Sequence, residues 1–459
     1  MADPKPQVEP LPLDGEAARF LAANPDIEIV ELLLPDSNGV FRGKWVPVGH
    51  LDGLFRDGLA LAKSVFALDA WGSDVVATGL YHETGDRDGI CRPVAGSLRR
   101  VPWAARPTAQ VMLRMDDEDG TPFFADPRTV LARAVGSLAA RGLRPVVAFE
   151  LEFYLFDDAR LQDARRGDIP SPVIEGLGPD RTNIYSVSDL RAYGDLFAEI
   201  EQAAEALDVP TDTIISEAAP GQFEINLVHV GDPFAAADQA LMLRRIVRQV
   251  ARRRGLRASF MAKPFADRAG NGMHAHVSLV DREGRNVFGQ VPDGETRLRR
   301  AVAGLLDTMH ASTLMLVSSF NGFRRLSGAY SPSKALWAEN NRYVAVRLPR
   351  GSGAARRLEH RVAGADANPH LVLAAILAGV ERGLQTELPL PAPVDGDVNA
   401  VTTEPLPPSM RHALERFENS AWVADAFGEA WRDFFAEIKR QELAGFEAYV
   451  SPLEYETYL

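Results

Sequence analysis

The stretch Gly270–Leu279, reading Gly-Asn-Gly-Met-His-Ala-His-Val-Ser-Leu, constrains the fold most tightly, because a glycine turn runs straight into alternating apolar and polar residues. Successive side chains of a β-strand point to opposite faces, so His274, His276 and Ser278 share one face while Met273, Ala275, Val277 and Leu279 enter packing. Three further segments repeat this construction with carboxylates. In Val146–Phe156 the alternation puts Glu150 and Glu152 together, opposite Phe149, Leu151 and Phe153. Glu217 enters a Pro-Gly turn, and Glu224 follows on a strand whose other face carries Phe223, Ile225 and Leu227. Leu358–Val362 sets Glu359 and Arg361 on one face. Carboxylates so closely flanked by Phe, Leu and Ile lie in otherwise buried strands, where an unpaired charge is costly, and they require cations.

Two histidines alone on a strand read equally well as a hydrogen-bonded face. Five glutamates with one or two histidines form an oxygen-rich set, suited to two hard octahedral ions, Mg²⁺ or Mn²⁺, rather than to thiolate-bound zinc. Arginines gather nearby in sequence: Arg324 and Arg325, then Arg342 and Arg347, then Arg356, Arg357 and Arg361. Paired divalent ions with arginines are what phosphoryl transfer requires, since catalysis there is mostly positioning and charge neutralisation.

Taken in order, the Glu-x-Glu strand, the Pro-Gly-Gln-x-Glu block, Gly-Met-His-x-His, Asn-Arg with a later Arg-x-Pro, and Arg-x-Glu-x-Arg resemble the glutamine synthetase family of the bacterial type. The resemblance covers nearly the whole chain. It implies an α+β fold: a disordered tail over 1–13, a β-grasp domain over 14–122, and a glutamine-synthetase catalytic domain over 123–459, an antiparallel sheet funnel surrounded by helices. It also implies an enzyme that phosphorylates the γ-carboxylate of glutamate with ATP and then displaces phosphate with an amine. Two or more Mg²⁺ or Mn²⁺ ions per site and a homo-dodecamer of two hexameric rings follow from the same resemblance.

Carried over by motif, the first metal takes Glu152, Glu217 and Glu224, and the second takes Glu150, His274 and Glu359. His276 and Ser278 approach the nucleotide, while Arg342, Arg347 and Arg357 neutralise phosphates. Gly270, Arg325 and Arg361 hold glutamate, and Arg342, Glu152 and Glu359 are the catalytic residues. The family's asparagine before the glycine is Ala269 here, with Asn271 expected to compensate.

Two departures from the family pattern concern the amine. The loop aspartate that binds ammonium falls near Ala62, in Leu61–Phe66, and the flap glutamate that takes its proton falls on Ser331, six residues after Arg325. Serine replaces neither the charge nor the base. This pattern resembles the branches that join glutamate to an organic amine, γ-glutamylpolyamine and γ-glutamylmethylamide synthetases. Putrescine is the leading expectation; a small monoamine such as methylamine or ethanolamine, ammonium itself, and a non-catalytic nitrogen sensor stay open. Asp69, Asp74 and Glu83 are candidates to line the amine pocket, Tyr185 is placed at its amine side by analogy, and Lys63, if it faces the pocket, disfavours a dication. No tyrosine in Val398–Leu406 matches the one that other family members adenylylate.

With 459 residues, length alone suggests roughly three domains of ordinary size. A net charge of −13 without a basic tract excludes nucleic acid as a partner. The single cysteine, Cys91, forms no internal disulfide, and neither a signal peptide nor a long apolar run is present, so no membrane is expected and the cytoplasm is the expected compartment. Single strands are expected over 27–34 and 40–46, and helices over 126–138, 189–207, 236–254, 308–317, 410–417 and 419–449, with a polar loop over 157–183. The arginines Arg252–Arg254 read as a solvated face, and the aromatic residues Trp422, Phe427, Trp431, Phe434 and Phe435 as core.

Overall fold

A computed structural model describes residues 15–159, 184–328 and 330–459. The expected tail over 1–13, and all but the first three residues of the polar loop over 157–183, lie outside the described residues.

Residues 29–116 build a seven-stranded sheet from β1 (Ile29–Pro35), β2 (Phe41–Arg42), β3 (Trp45–Pro47), β4 (Leu59–Ala62), β5 (Asp88–Pro93), β6 (Arg99–Arg100) and β7 (Thr108–Asp116). Its order is β2-β1-β7-β5-β4, with β3 paired to β1 and β6 to β7. Only β1 and β7 run parallel. The single strand expected over 40–46 is broken at Gly43, whose φ of 143° carries the chain so close to β1 that a Cβ there would stand 1.9 Å from the Leu32 carbonyl oxygen.

Asp36 shapes the preceding turn, accepting from the Asn38 and Val40 amides at 2.9 Å each and from Arg42 Nε at 2.8 Å. The turn is gripped from the far end of the chain. Lys439 Nζ donates to Asn38 Oδ1 at 2.6 Å, Asn38 Nδ2 donates to Glu442 Oε1 at 2.9 Å, and Lys439 and Glu442 pair with each other while both are buried.

The second sheet has eight strands: β8 (Arg144–Asp157), β9 (Thr211–Ser216), β10 (Gln222–Leu227), β11 (Leu256–Ser259), β12 (Met273–Val280), β13 (Trp337–Glu339), β14 (Val346–Leu348) and β15 (Leu358–His360). They are ordered β13-β14-β15-β12-β8-β10-β9, with β11 pairing the end of β8, and all pairs but β13–β14 are antiparallel. Helices Pro127–Ala140, Pro233–Arg253, Gly294–Leu316 and Pro369–Gln385 pack around it. The first starts as its sequence dictates, with Asp126 capping the Arg128 amide at 2.8 Å and Pro127 in the first turn.

Two expected helices are interrupted. The 189–207 helix divides into Val187–Ala192 and Gly194–Ala206 around the non-helical Tyr193, and the 419–449 helix divides into Ala421–Phe427 and Glu429–Ala448 at Gly428, where φ is 90°. The helix expected over 308–317 begins earlier, spanning Gly294–Leu316. Phe427, Trp431, Phe434 and Phe435 are core residues as expected, while Arg253 and Arg254 are exposed and share Glu199. No helix among the described residues is long and apolar enough to cross a membrane.

Candidate active site

Strand β8 carries the site because its even-numbered residues on one face meet functional residues from both neighbours. Register places Glu152 directly across from Glu224 of β10, and Glu150 between His274 of β12 and Asn226 of β10. Farther along, Glu359 of β15 lies across from His276, and Arg347 of β14 across from Glu359. Period-two alternation therefore delivers a continuous polar row, while Phe149, Leu151, Phe153, Met273, Ala275 and Val277 hold the other face in the core.

Donor atoms within 4.8 Å of one another form three overlapping trios: Glu152 with Glu217 and Glu224, Glu150 with Glu224 and His274, and Glu150 with His276 and Glu359. The second set expected from sequence, Glu150, His274 and Glu359, is thus divided between two trios that share Glu150. His274 Nδ1 lies 3.2 Å from Glu150 Oε2, and His276 Nε2 lies 2.8 Å from Oε1. The Gly272 amide donates to Glu152 Oε2 at 2.6 Å.

The electrostatics of these acids diverge. Burial and the carboxylates of Glu150, Glu152 and Glu217 push Glu224 well above the ordinary range. Glu217 rises to about 7, through burial first and then the charge of Glu152. Burial also disfavours charge on Glu150, but the hydrogen bonds from His274 and His276 outweigh it and hold that carboxyl low. Glu359 is likewise held low, burial being outweighed by Arg361, His276 and His274. Carboxylates crowded until they resist ionisation, beside imidazoles and with no thiolate, are a donor set that fits hard divalent cations.

The arginines occupy distinct stations. Arg347 Nη1 donates to Glu359 Oε2 at 2.7 Å and Nη2 to Asn340 Oδ1 at 3.0 Å, while Arg361 donates to Glu359 Oε1. Arg357 Nε donates to His276 Nδ1 at 3.0 Å. Arg342 is exposed and has no hydrogen bond among the described residues, yet its charge reaches Glu217. Arg325 is buried, donating to the carbonyls of Val362 at 2.8 Å and Arg361 at 3.4 Å. It lies against Gly270 and Gly272, where a Cβ would meet its side chain at 2.8 Å and 2.6 Å respectively. Ser278 follows His276 on the same face, across from Val146.

Several sequence expectations need correction. Asn271 does not offer its amide to a ligand: it is fully buried, its Oδ1 accepts from Gln222 Nε2 at 3.0 Å, and its Nδ2 donates to the Met261 carbonyl at 2.9 Å. Lys63 pairs with Asp117 at 2.6 Å, with Glu118 at 3.7 Å, instead of presenting a free charge. Asp69 is buried, accepting from the Trp71 and Ser73 amides and from Gln441 Nε2, so it closes a turn. Asp74 is exposed and accepts from the Tyr81 hydroxyl, and Glu83 is exposed.

Ala62 ends β4. Ser331 Oγ is buried and has no partner among the described residues. Tyr185 is exposed with φ 61°, its amide bonded to the Ser216 carbonyl at 2.8 Å. Sequence reasoning passed over His229, whose ring stands 5.9 Å from that of His276 edge-on, and Asn226, two positions beyond Glu224 on its face. The period-two rule was signal enough for Asn226. His229 follows the end of β10 and carried no such signal.

This donor row defines a class. The family model described as glutamine synthetase, catalytic domain, matches residues 124–458, and the chain belongs to that family of ATP- and divalent-metal-using ligases. Among its relatives, it is 42% identical to γ-glutamylputrescine synthetase PuuA of Escherichia coli, over 97% of this chain and 94% of that one. It is 30% identical to γ-glutamylethanolamide synthetase GlnA4 of Streptomyces coelicolor, over 96% and 95% of the two chains. The solved structure of GmaS in complex with ADP is similar with a TM-score of 0.83 and 28% identity, covering 96% of this chain and 99% of that one.

Proposed function

We propose that the chain joins the γ-carboxylate of L-glutamate to an organic amine through γ-glutamyl phosphate at the expense of ATP, with a polyamine of the putrescine class as the amine. The carrying observation is the opposed register of Glu152 with Glu224 and of Glu150 with His274, beside Glu359 and its arginines. The 42% identity to a putrescine-using relative supports the choice of amine. So does the pairing of Lys63 with Asp117 and Glu118, which neutralises the one charge that argued against a dication.

Glu152, Glu217 and Glu224 would hold one divalent ion, and Glu150 with His274 and Glu359 the other. Bound there, the ions supply charge neutralisation on the phosphate oxygens. Arg342, Arg347 and Arg357 bind the phosphates, and His276 and Ser278 orient the nucleotide. Gly270, whose missing Cβ leaves room for the Arg325 side chain, would present its backbone to glutamate, while Arg325 and Arg361 would hold its carboxylate. The glutamate γ-carboxylate attacks the γ-phosphorus, ADP leaves, and a neutral amine then attacks the acyl carbon and expels phosphate. Ala62 and Ser331 provide no carboxylate to bind ammonium or take its proton, which favours an organic amine over ammonium. Residues 14–122 form the β-grasp domain and 123–459 the catalytic domain in this reading, with assembly as a homo-dodecamer in the cytoplasm.

Phosphate release from Mg-ATP and glutamate across a panel of amines tests it. Putrescine is expected to give the fastest release and ammonium little. Preference for ammonium would overturn the reading of Ala62 and Ser331, preference for methylamine or ethanolamine would move the substrate to a monoamine, and silence across the panel would leave a non-catalytic sensor.

A further inference from the structure

A second concave site lies on the seven-stranded sheet, where β1 to β3 meet helix Pro233–Arg253. The groove encloses about 580 Å³ and shares no lining residue with the carboxylate row. That volume falls within the range of ordinary small-molecule sites, about 300–1,000 Å³.

Its composition runs against the rest of the molecule. The chain carries a net charge of −13, yet four cations, Arg42, Lys44, Arg106 and Arg245, line the groove against the single carboxylate of Glu31. Three of the cations are anchored by acids: Arg42 through Nε by Asp36, Arg106 by Glu28, and Arg245 by Glu31. Lys44 has no ion-pair partner among the described residues, so one positive charge is left over. The anchoring also leaves donors uncommitted. Arg42 makes no hydrogen bond through its two terminal nitrogens among the described residues, and Arg245 Nε is buried with none. A buried donor without an acceptor costs free energy, so an acceptor arriving there is rewarded.

Flat rings stand beside these donors. Trp45 is 66% exposed, an uncommon exposure for the largest apolar side chain, and Phe41 and Trp103 complete the aromatic lining. The Arg245 guanidinium sits 5.5 Å from the Trp103 ring centroid, so cation and ring are already stacked as a surface. Indoles bind flat unsaturated rings by their faces, while lysine and arginine bind anionic oxygens. A bare anion would leave Trp45 uncovered, and a neutral aromatic would leave Lys44 unmatched.

The geometry points to a second ligand site here, one that takes a flat aromatic ring bearing an anionic group. A mononucleotide and an aromatic carboxylate share that chemistry. The test is calorimetric titration of the full-length protein in EDTA, which strips nucleotide binding of its divalent metal, with AMP, benzoate and inorganic phosphate as separate probes. At least one ring-bearing probe is expected to bind with a stoichiometry of one per chain, and phosphate alone at least tenfold more weakly.

Trp45→Ala and Lys44→Glu, both at exposed side chains, are each expected to weaken that binding at least tenfold while leaving the melting temperature unchanged. AMP binding lost in both variants assigns the nucleotide source, and benzoate binding lost in both assigns the carboxylate. The proposal is overturned if neither ring-bearing probe binds, or if the dissociation constants are the same in wild type and both variants.

Discussion

Asp36 and Glu224 are both almost fully buried carboxylates, one in each half of the molecule, and their surroundings are opposite. Burial raises the Asp36 carboxyl too, but two backbone amides and the Arg42 guanidinium oppose that shift within a single turn. Glu224 faces the charges of Glu150, Glu152 and Glu217, with that of Arg361 in its favour. The same division holds for the neighbours: Lys63 and Asp69 have their partners in place, whereas Glu217 rises to about 7. The amino-terminal sheet spends its buried charges on shaping turns. The second sheet gathers like charges into a donor set that could hold a divalent cation, the pattern expected of a functional site.

That contrast can be broken or sharpened by experiment. Glu359→Gln is expected to abolish amine-dependent ADP formation, and a variant with near-normal turnover would remove Glu359 from the metal set. Mg²⁺ at a hundredfold its dissociation constant is expected to stabilise the fold by about 2.7 kcal/mol; a melting temperature indifferent to Mg²⁺ would show that the crowded acids need no cation. Asp36→Ala leaves Arg42 and two amides without their acceptor and is expected to cost about 2 kcal/mol in denaturant unfolding, with or without metal. Glu224→Gln has the smallest expected effect on the fold and the opposite sign: in EDTA its stability equals or exceeds wild type by up to about 1 kcal/mol, because one of four crowded acids is gone. A loss as large as that of Asp36→Ala would erase the distinction between the two halves.

How much of this was legible beforehand follows from the range of the signal. Glu150 and Glu152 on one face, or His274 and His276 on another, are consequences of local period two, and the structure keeps both pairs facing one row. The capped start of the helix at Asp126 and Pro127 is equally local. Partners set by tertiary packing were not legible. Nothing around Asn271 announces that Gln222, 49 positions away, uses its amide, and nothing around Lys63 announces Asp117. Breaks at Gly43 and Gly428 were underestimated for a related reason: a glycine matters only where the backbone takes a positive φ or approaches another strand, and sequence alone does not say where that occurs.

The grip of Lys439 on Asn38 spans 401 positions. On a ribosome adding roughly 5–20 residues per second, the amino-terminal turn would emerge about 20–80 s before the helix that clasps it. During that interval the Asn38 side chain waits without its Lys439 and Glu442 partners. Completion of the last long helix therefore also secures the first turn, and a chain released before residue 439 would lack the clasp on its own beginning.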